Sequence, residues 1–321
     1  MSLDLPPFKP RFPWWGGDLQ TLANRFRKPP VLAPHRSERL RLQLDDGDCL
    51  LATLDRPDKG IFGKPLVVLI HGLTGSEESH YVLSQTRALL DYGFTVLRLN
   101  LRGAGASRAT CGGQYYAGRS QDFRAALKLI PAELKKSGVA AVGYSLGGAM
   151  LLKYLGEEGT AAPLVAAVTV SAPIDLSAVC TNMLRPRNSF YHYYLLRQMK
   201  REATAEGAKL TPEERKAILG SETIWDYDEV FIAPRHRFAG AEDYYDRCKP
   251  VRFMNGIRVP TLVIAGLDDP WIPGRLYSEY PWWKNLALTP MMQAHGGHVG
   301  FHGRDSNVPW TDRVVRRFLG G

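Results

Sequence analysis

The chain has 321 residues, 45% hydrophobic and 23% charged, and 41 Lys and Arg against 32 Asp and Glu give it a net charge of +9. That balance excludes wholesale disorder and is enough to build a sizeable core in one large α/β domain with an insertion. The basic residues are scattered apart from local clusters at 185–187 and 197–201, without a dense Lys/Arg run interleaved with aromatics, so no nucleic-acid partner is expected.

Four cysteines, Cys49, Cys111, Cys180 and Cys248, lie far apart without CxxC spacing, as reduced thiols in a cytoplasm would. Met1-Ser2-Leu3-Asp4 does not open a basic start followed by an apolar stretch, and no apolar run approaches the roughly 20 residues that span a bilayer. A cytoplasmic protein is the expectation.

Taken in order, residues 1–36 are rich in Pro and aromatics, Pro13-Trp14-Trp15-Gly16-Gly17 among them. They read as an extended segment packed over the main domain, since a free tail gains nothing from exposing Phe8, Phe12, Trp14 and Trp15. Residues 39–44 alternate strictly, turn at Asp45-Asp46-Gly47-Asp48, and continue as 49–54, which predicts a hairpin. The continuous apolar run 65–70 predicts a strand buried on both faces of a parallel sheet, delivering His71-Gly72-Leu73-Thr74-Gly75. A helix is expected over 79–92, a strand over 94–99, the Gly-rich loop Asn100-Leu101-Arg102-Gly103-Ala104-Gly105, and an amphipathic helix over 120–134.

Val139-Ala140-Ala141-Val142-Gly143-Tyr144-Ser145-Leu146-Gly147-Gly148 then reads as a strand running into a helix through a sharp turn around Ser145. Small residues two positions to either side allow such a turn, which projects the serine hydroxyl outward. The helix that follows is expected to end at Gly156. Strands are predicted at 165–170, 261–265 and 286–292, with a closing helix over 311–319. Between the first two of these strands lie more than 70 basic, aromatic, helix-rich residues, including a capped start at Leu210-Thr211-Pro212-Glu213-Glu214. We read about 177–250 as an inserted helical lid shaping a substrate pocket. Strands alternating with helices in this order give a mostly parallel sheet covered on both faces.

A serine hydroxyl needs a base to take its proton and an acid to hold that base in the right tautomer. In such sheets both come from loops at the carboxyl ends of later strands, in the order Ser, Asp, His. Asp268 and Asp269 compete for the acid. Asp269 is preferred, one residue further past the turn that Gly266 permits, and Asp175 is a third candidate. His298 is the preferred base because two glycines let its loop bend back to Ser145, with His295 as the alternative. His295-Gly296-Gly297-His298 read as a metal site finds no third ligand cluster, so no metal is expected. His71 reads as structural, holding the loop whose Leu73 N–H would join Leu146 N–H in binding an oxyanion.

With these residues in place, the chain resembles the α/β-hydrolase superfamily. More narrowly it resembles its YheT-like branch, with the ABHD1/ABHD3-type lipid hydrolases and the yeast medium-chain ester synthase/esterases. The resemblance is carried by Trp15-Gly16 with Gln20-Thr21, residues 71–76, Asn100-Leu101-Arg102-Gly103, residues 143–148, Ser171-Ala172-Pro173, Asp268-Asp269-Pro270 and residues 295–301. It implies Ser145 as nucleophile, His298 as base and one of Asp268 or Asp269 as acid. Eukaryotic members carry a membrane segment ahead of the domain, and no such segment is seen in this sequence, so anchoring is not implied.

The expectation is a single α/β-hydrolase domain over 1–321 acting as a cofactor-free serine esterase on short- to medium-chain or lipid-like esters. It would be a monomer or homodimer with no integral membrane segment and at most peripheral lipid contact. Acyl transfer to an alcohol uses the same acyl-enzyme and is the alternative within enzymes; a non-catalytic lipid-binding module is the alternative outside them.

Overall fold

In the computed structural model, which describes residues 7–32, 35–58 and 63–320, eight strands form one sheet. They are β1 (His35–Gln43), β2 (Cys49–Pro57), β3 (Leu66–Ile70), β4 (Val96–Leu99), β5 (Val139–Tyr144), β6 (Ala166–Val170), β7 (Thr261–Gly266) and β8 (Leu288–Gln293). The order across the sheet is β1-β2-β4-β3-β5-β6-β7-β8. The hairpin β1–β2 attaches antiparallel to β4, and every pair from β4 to β8 is parallel.

β3, β5 and β7 are buried along their whole length, as strands covered on both faces must be. On one face Val67, Leu69, Val142 and Val168 pack with α2 (His80–Leu90) and the closing helix, which contribute Val82, Leu89, Val314 and Val315. On the other Val68, Ile70 and Ala141 pack with Phe123 of α3 (Ser120–Leu129) and Met150 and Leu151 of α4 (Leu146–Glu158).

Between β6 and β7 the chain leaves the sheet for α5 (Leu176–Met183), α6 (Ser189–Ala203), α7 (Pro212–Gly220), α8 (Ile224–Tyr227), α9 (Ala233–Arg235) and α10 (Ala241–Cys248). Helix α7 starts with the reciprocal cap of Thr211 and Glu214 that its sequence announces. A short α11 (Arg275–Ser278) follows β7, and α12 (Trp310–Gly320) closes the chain.

Several expectations need correction. The segment read as extended near Trp14 forms a helix, α1 (Gly16–Phe26). Phe8 is buried against Phe301 and Trp310, but Phe12 and Trp15 stay 70% and 59% exposed. Residues 1–6 and 33–34 of that segment lie outside the described residues. Helix α3 stops at Leu129, because the residue ahead of Pro131 is driven out of the helical region and Ile130 sits at ψ 128°. Helix α4 runs past Gly156, whose bare Cα lets the Phe253 backbone approach, and ends before Gly159 at φ 55°.

Candidate active site

The candidate functional side chains stand at the carboxyl ends of the parallel strands: His71 after β3, Ser145 after β5, Asp269 after β7 and His298 after β8. Ser145 occupies φ 50° and ψ −123°, a conformation that costs an L-residue on the order of 1–3 kcal/mol and persists only where the surroundings enforce it. Its N–H donates to Val170 O at 2.9 Å, and its carbonyl accepts Ala149 N–H in the first turn of α4. A Cβ on Gly147 would collide with the carbonyl of His71, so only glycine lets the helix start this close to the neighbouring loop.

His298 lies between the other two residues. Ser145 Oγ–H donates to His298 Nε2 at 2.9 Å, and His298 Nδ1–H donates to Asp269 Oδ2 at 2.8 Å. The second oxygen of Asp269 accepts the N–H groups of Trp271 and Ile272 at 2.8 and 3.1 Å, so the carboxylate is held at both ends. The Trp271 ring stacks on the imidazole with centroids 4.2 Å apart. Both His298 and Asp269 are buried, at 6% and 7% exposure.

The structure therefore brings Asp269, not Asp268, to the imidazole. Asp268 accepts Gly297 N–H at 2.9 Å and pairs with the ring of His295 at 3.2 Å, bracing the glycine turn ahead of His298. Asp175 caps α5 through Ala178 N–H at 3.0 Å. Among the described residues no group of three or more His, Cys, Asp or Glu is placed to hold a metal ion.

Burial lowers His71 to about 4, so it is neutral. Leu101 N–H donates to its Nε2 at 3.0 Å, which leaves the proton on Nδ1 to be donated to Gly72 O at 2.8 Å. Because the C=O and N–H of a trans peptide point in opposite directions, fixing Gly72 O aims the Leu73 N–H the other way. Among the described residues neither Leu73 N–H nor Leu146 N–H enters a hydrogen bond, which leaves both free for an incoming oxygen.

Sequence reading gave no role to the residues that hold His298 from the far end of the chain. His298 N–H donates to Thr21 Oγ1 at 2.8 Å. Gln20 Nε2–H donates to His302 O at 3.1 Å while its Oε1 accepts His302 N–H at 2.7 Å, and Asn24 Nδ2–H donates to Val299 O at 2.8 Å. The polar cluster Gln20-Thr21-Asn24 along α1 was the available signal.

Two hollows meet at Ser145 and His298. One, about 910 Å³ counted out to its mouth, runs beneath the helices between β6 and β7 and is mainly apolar, with Leu176, Val179, Met183, Leu195, Met199 and Ile232 in its walls. The other opens between α1 and α6, past Leu22, Phe26, Phe190 and Tyr194. Phe190 and Tyr194 also border an adjoining surface hollow with Arg25, Arg197 and Arg201. No helix among the described residues is long and apolar enough to cross a membrane.

Comparison with known proteins bears on the family and the fold. The profile of the family described as "alpha/beta hydrolase fold" matches residues 65–305. The Escherichia coli (strain K12) protein named "Putative esterase YheT" is 33% identical over 294 residues, 89% of this chain and 84% of that protein. Phospholipase ABHD3 of Mus musculus is 25% identical over 315 residues, 95% of this chain and 76% of that protein. Among solved structures, the Pyrococcus furiosus esterase Pf2001 superposes with a TM-score of 0.59 at 17% identity over 90% of this chain and 96% of that one, a likeness of fold. The chain belongs to the α/β-hydrolase family, on its esterase and lipase side, together with YheT.

Proposed function

We propose that the protein hydrolyses carboxylic esters of medium-length acyl chains through an acyl-enzyme, with Ser145 as nucleophile, His298 as base and Asp269 as the acid that holds it. The observation that carries this reading is the single imidazole hydrogen-bonded to Ser145 Oγ on one nitrogen and to Asp269 on the other.

Ser145 Oγ bonds to the ester carbonyl carbon as its proton passes to His298 Nε2. Charge develops on the carbonyl oxygen, where the N–H groups of Leu73 and Leu146 receive it; one such donor contributes about 3 kcal/mol to the transition state. The imidazolium, facing the Asp269 carboxylate, then gives its proton to the alkoxide as the C–O bond breaks and the alcohol leaves. Water repeats the sequence on the acyl-enzyme, releasing the acid and returning the proton to Ser145.

The apolar walls of the hollow beneath α5 to α10 suit an acyl chain and support reading that insertion as a lid, with α1 as an N-terminal extension closing the alcohol side. The test is initial rates on p-nitrophenyl esters from acetyl to lauroyl for wild type and Ser145→Ala. We expect an optimum at intermediate length and a loss on the order of 10⁴-fold in the variant. Two folded proteins equally slow on every ester would overturn the reading.

A further inference from the structure

One partly buried hydrogen-bonded chain links the insertion to the loop that carries Leu73. Thr74 is held at φ 56°, the left-handed region, where a β-branched side chain is disfavoured. Its N–H donates to Tyr115 Oη at 2.7 Å. Having accepted that bond, the phenol gives its single proton to Glu202 Oε2, 2.9 Å away near the end of α6. Tyr115 is itself immobilised, 3% exposed, its ring edge-on to His71 and its backbone N–H bonded to Arg102 O at 2.9 Å.

Two peptide planes flank the Leu73 Cα. His71 Nδ1–H and Gly75 N–H both donate to Gly72 O and fix the plane that carries the Leu73 N–H. The next plane, Leu73 C=O with Thr74 N–H, is fixed by Tyr115. Rotation at ψ of Leu73 turns the second plane and swings Thr74 and Gly75 with it, which breaks the Gly75 N–H bond to Gly72 O that holds the first plane, so fixing the Thr74 N–H steadies the Leu73 N–H.

We propose that Tyr115 and Glu202 are positioning residues for the oxyanion-binding loop, Glu202 holding Tyr115 and Tyr115 holding the peptide after Leu73, so that the insertion sets the aim of the donor. The inference rests on the proposed ester hydrolysis and deepens it. Glu202 also lines the hollow assigned to the acyl chain, together with Leu73 and Tyr115, so the same helix meets the substrate and steadies the loop. Burial pushes Glu202 up to about 7 against the pull of the Tyr115 hydrogen bond and of Arg108, which marks it as a carboxyl kept at a cost in an apolar wall.

The experiment compares Tyr115→Phe, Glu202→Leu and Glu202→Gln with wild type. The side-chain amide introduced by Glu202→Gln keeps an oxygen that accepts from Tyr115, and the leucine of Glu202→Leu does not. Tyr115→Phe and Glu202→Leu should lower kcat about 10- to 100-fold, less than outright loss of an oxyanion donor, with KM within about twofold. Affinity for a trifluoromethyl ketone, whose adduct with Ser145 places an oxyanion at Leu73, should fall by the same factor, and Glu202→Gln should restore both. Hydrogen exchange at the Thr74 amide, which needs no turnover, should quicken in Tyr115→Phe and Glu202→Leu and stay slow in Glu202→Gln. If wild type fails on every ester, the esterase reading falls and the exchange pattern alone judges the positioning. The inference is overturned if Thr74 exchange is unchanged in both disrupting variants, or if exchange quickens while kcat and ketone affinity stay at wild-type values. Should Tyr115→Phe not fold, the two Glu202 variants carry the same comparison.

Discussion

Ser145 and His298 lie 2.9 Å apart, yet they are held by opposite means. The serine is placed locally: a strand, a turn between two glycines and a helix, with everything that shapes the turn close by in sequence or in the adjacent strands. The histidine is placed from a distance, by Thr21 across 277 residues of chain and, through His302, by Gln20 across 282. A reactive turn can be built by backbone conformation alone, whereas a base on a loop after the last strand needs an outside clamp. Here the clamp is α1, with Gly17 pressed so closely on Asp268 that a Cβ there would overlap its carbonyl.

Breaking the distant side at its acid should have the largest effect. Asp269→Asn should lower kcat by about 10⁴-fold, since the imidazole is then free to take the wrong tautomer. Asp268→Asn should cost no more than about tenfold, by loosening the glycine turn only. Initial rates on one p-nitrophenyl ester decide this, and the reverse ranking would transfer the acid role to Asp268.

Next comes a paired test of the two supports. Gly147→Ala forces a Cβ into the His71 carbonyl and should lower kcat about 10²-fold by displacing Ser145 and Leu73 together. Gln20→Ala leaves the His302 N–H unsatisfied, while its C=O still accepts Arg11 N–H, and should lower Tm by roughly 3 °C, with a smaller loss of kcat. Calorimetry beside rates separates them; a Gln20→Ala protein with wild-type Tm would mean that α1 does not clamp the loop.

The smallest expected effect concerns packing away from the site. Asp312, on α12, accepts from Ser84 Oγ on α2 at 2.6 Å, and burial pushes it up to about 7 from 3.8. Folded protein thus holds more protons than unfolded between these values, and this group's contribution to stability is full below about 4 and declines as pH rises to about 7. Asp312→Asn removes that titration. Its denaturation midpoint relative to wild type should climb between pH 5 and 7 and level off above, and a constant difference would show that Asp312 does not titrate there.

The same contrast explains what the sequence disclosed. Ser145, its glycines and the buried strands obey short-range rules and can be read from a single chain. Asp269 could be preferred over its neighbour only by loop geometry, and the decisive fact, which carboxylate faces Nδ1, depends on how β7 and β8 pair. Gln20 and Thr21 stand out only as a polar pair along α1, and Tyr115 and Glu202 not at all; nothing local names their contacts, because the partners lie in other elements. Helix ends failed for a related reason: Gly156 reads as a terminator until Phe253 is seen to need the space.

Holding the last loop with the first helix has a consequence for the order of synthesis. The elbow emerges from the ribosome 153 residues before His298, and β8 and its loop must be made before the imidazole can reach Ser145. Helix α1 can meet Arg187, Tyr191 and Asp268 before residues 297–302 exist, but its bonds to the loop that carries His298 form last. A chain that has not yet reached His298 has the strand and helix around Ser145 but not the proposed base, and the proposed attack on an ester becomes possible only once residues 297–302 have been made.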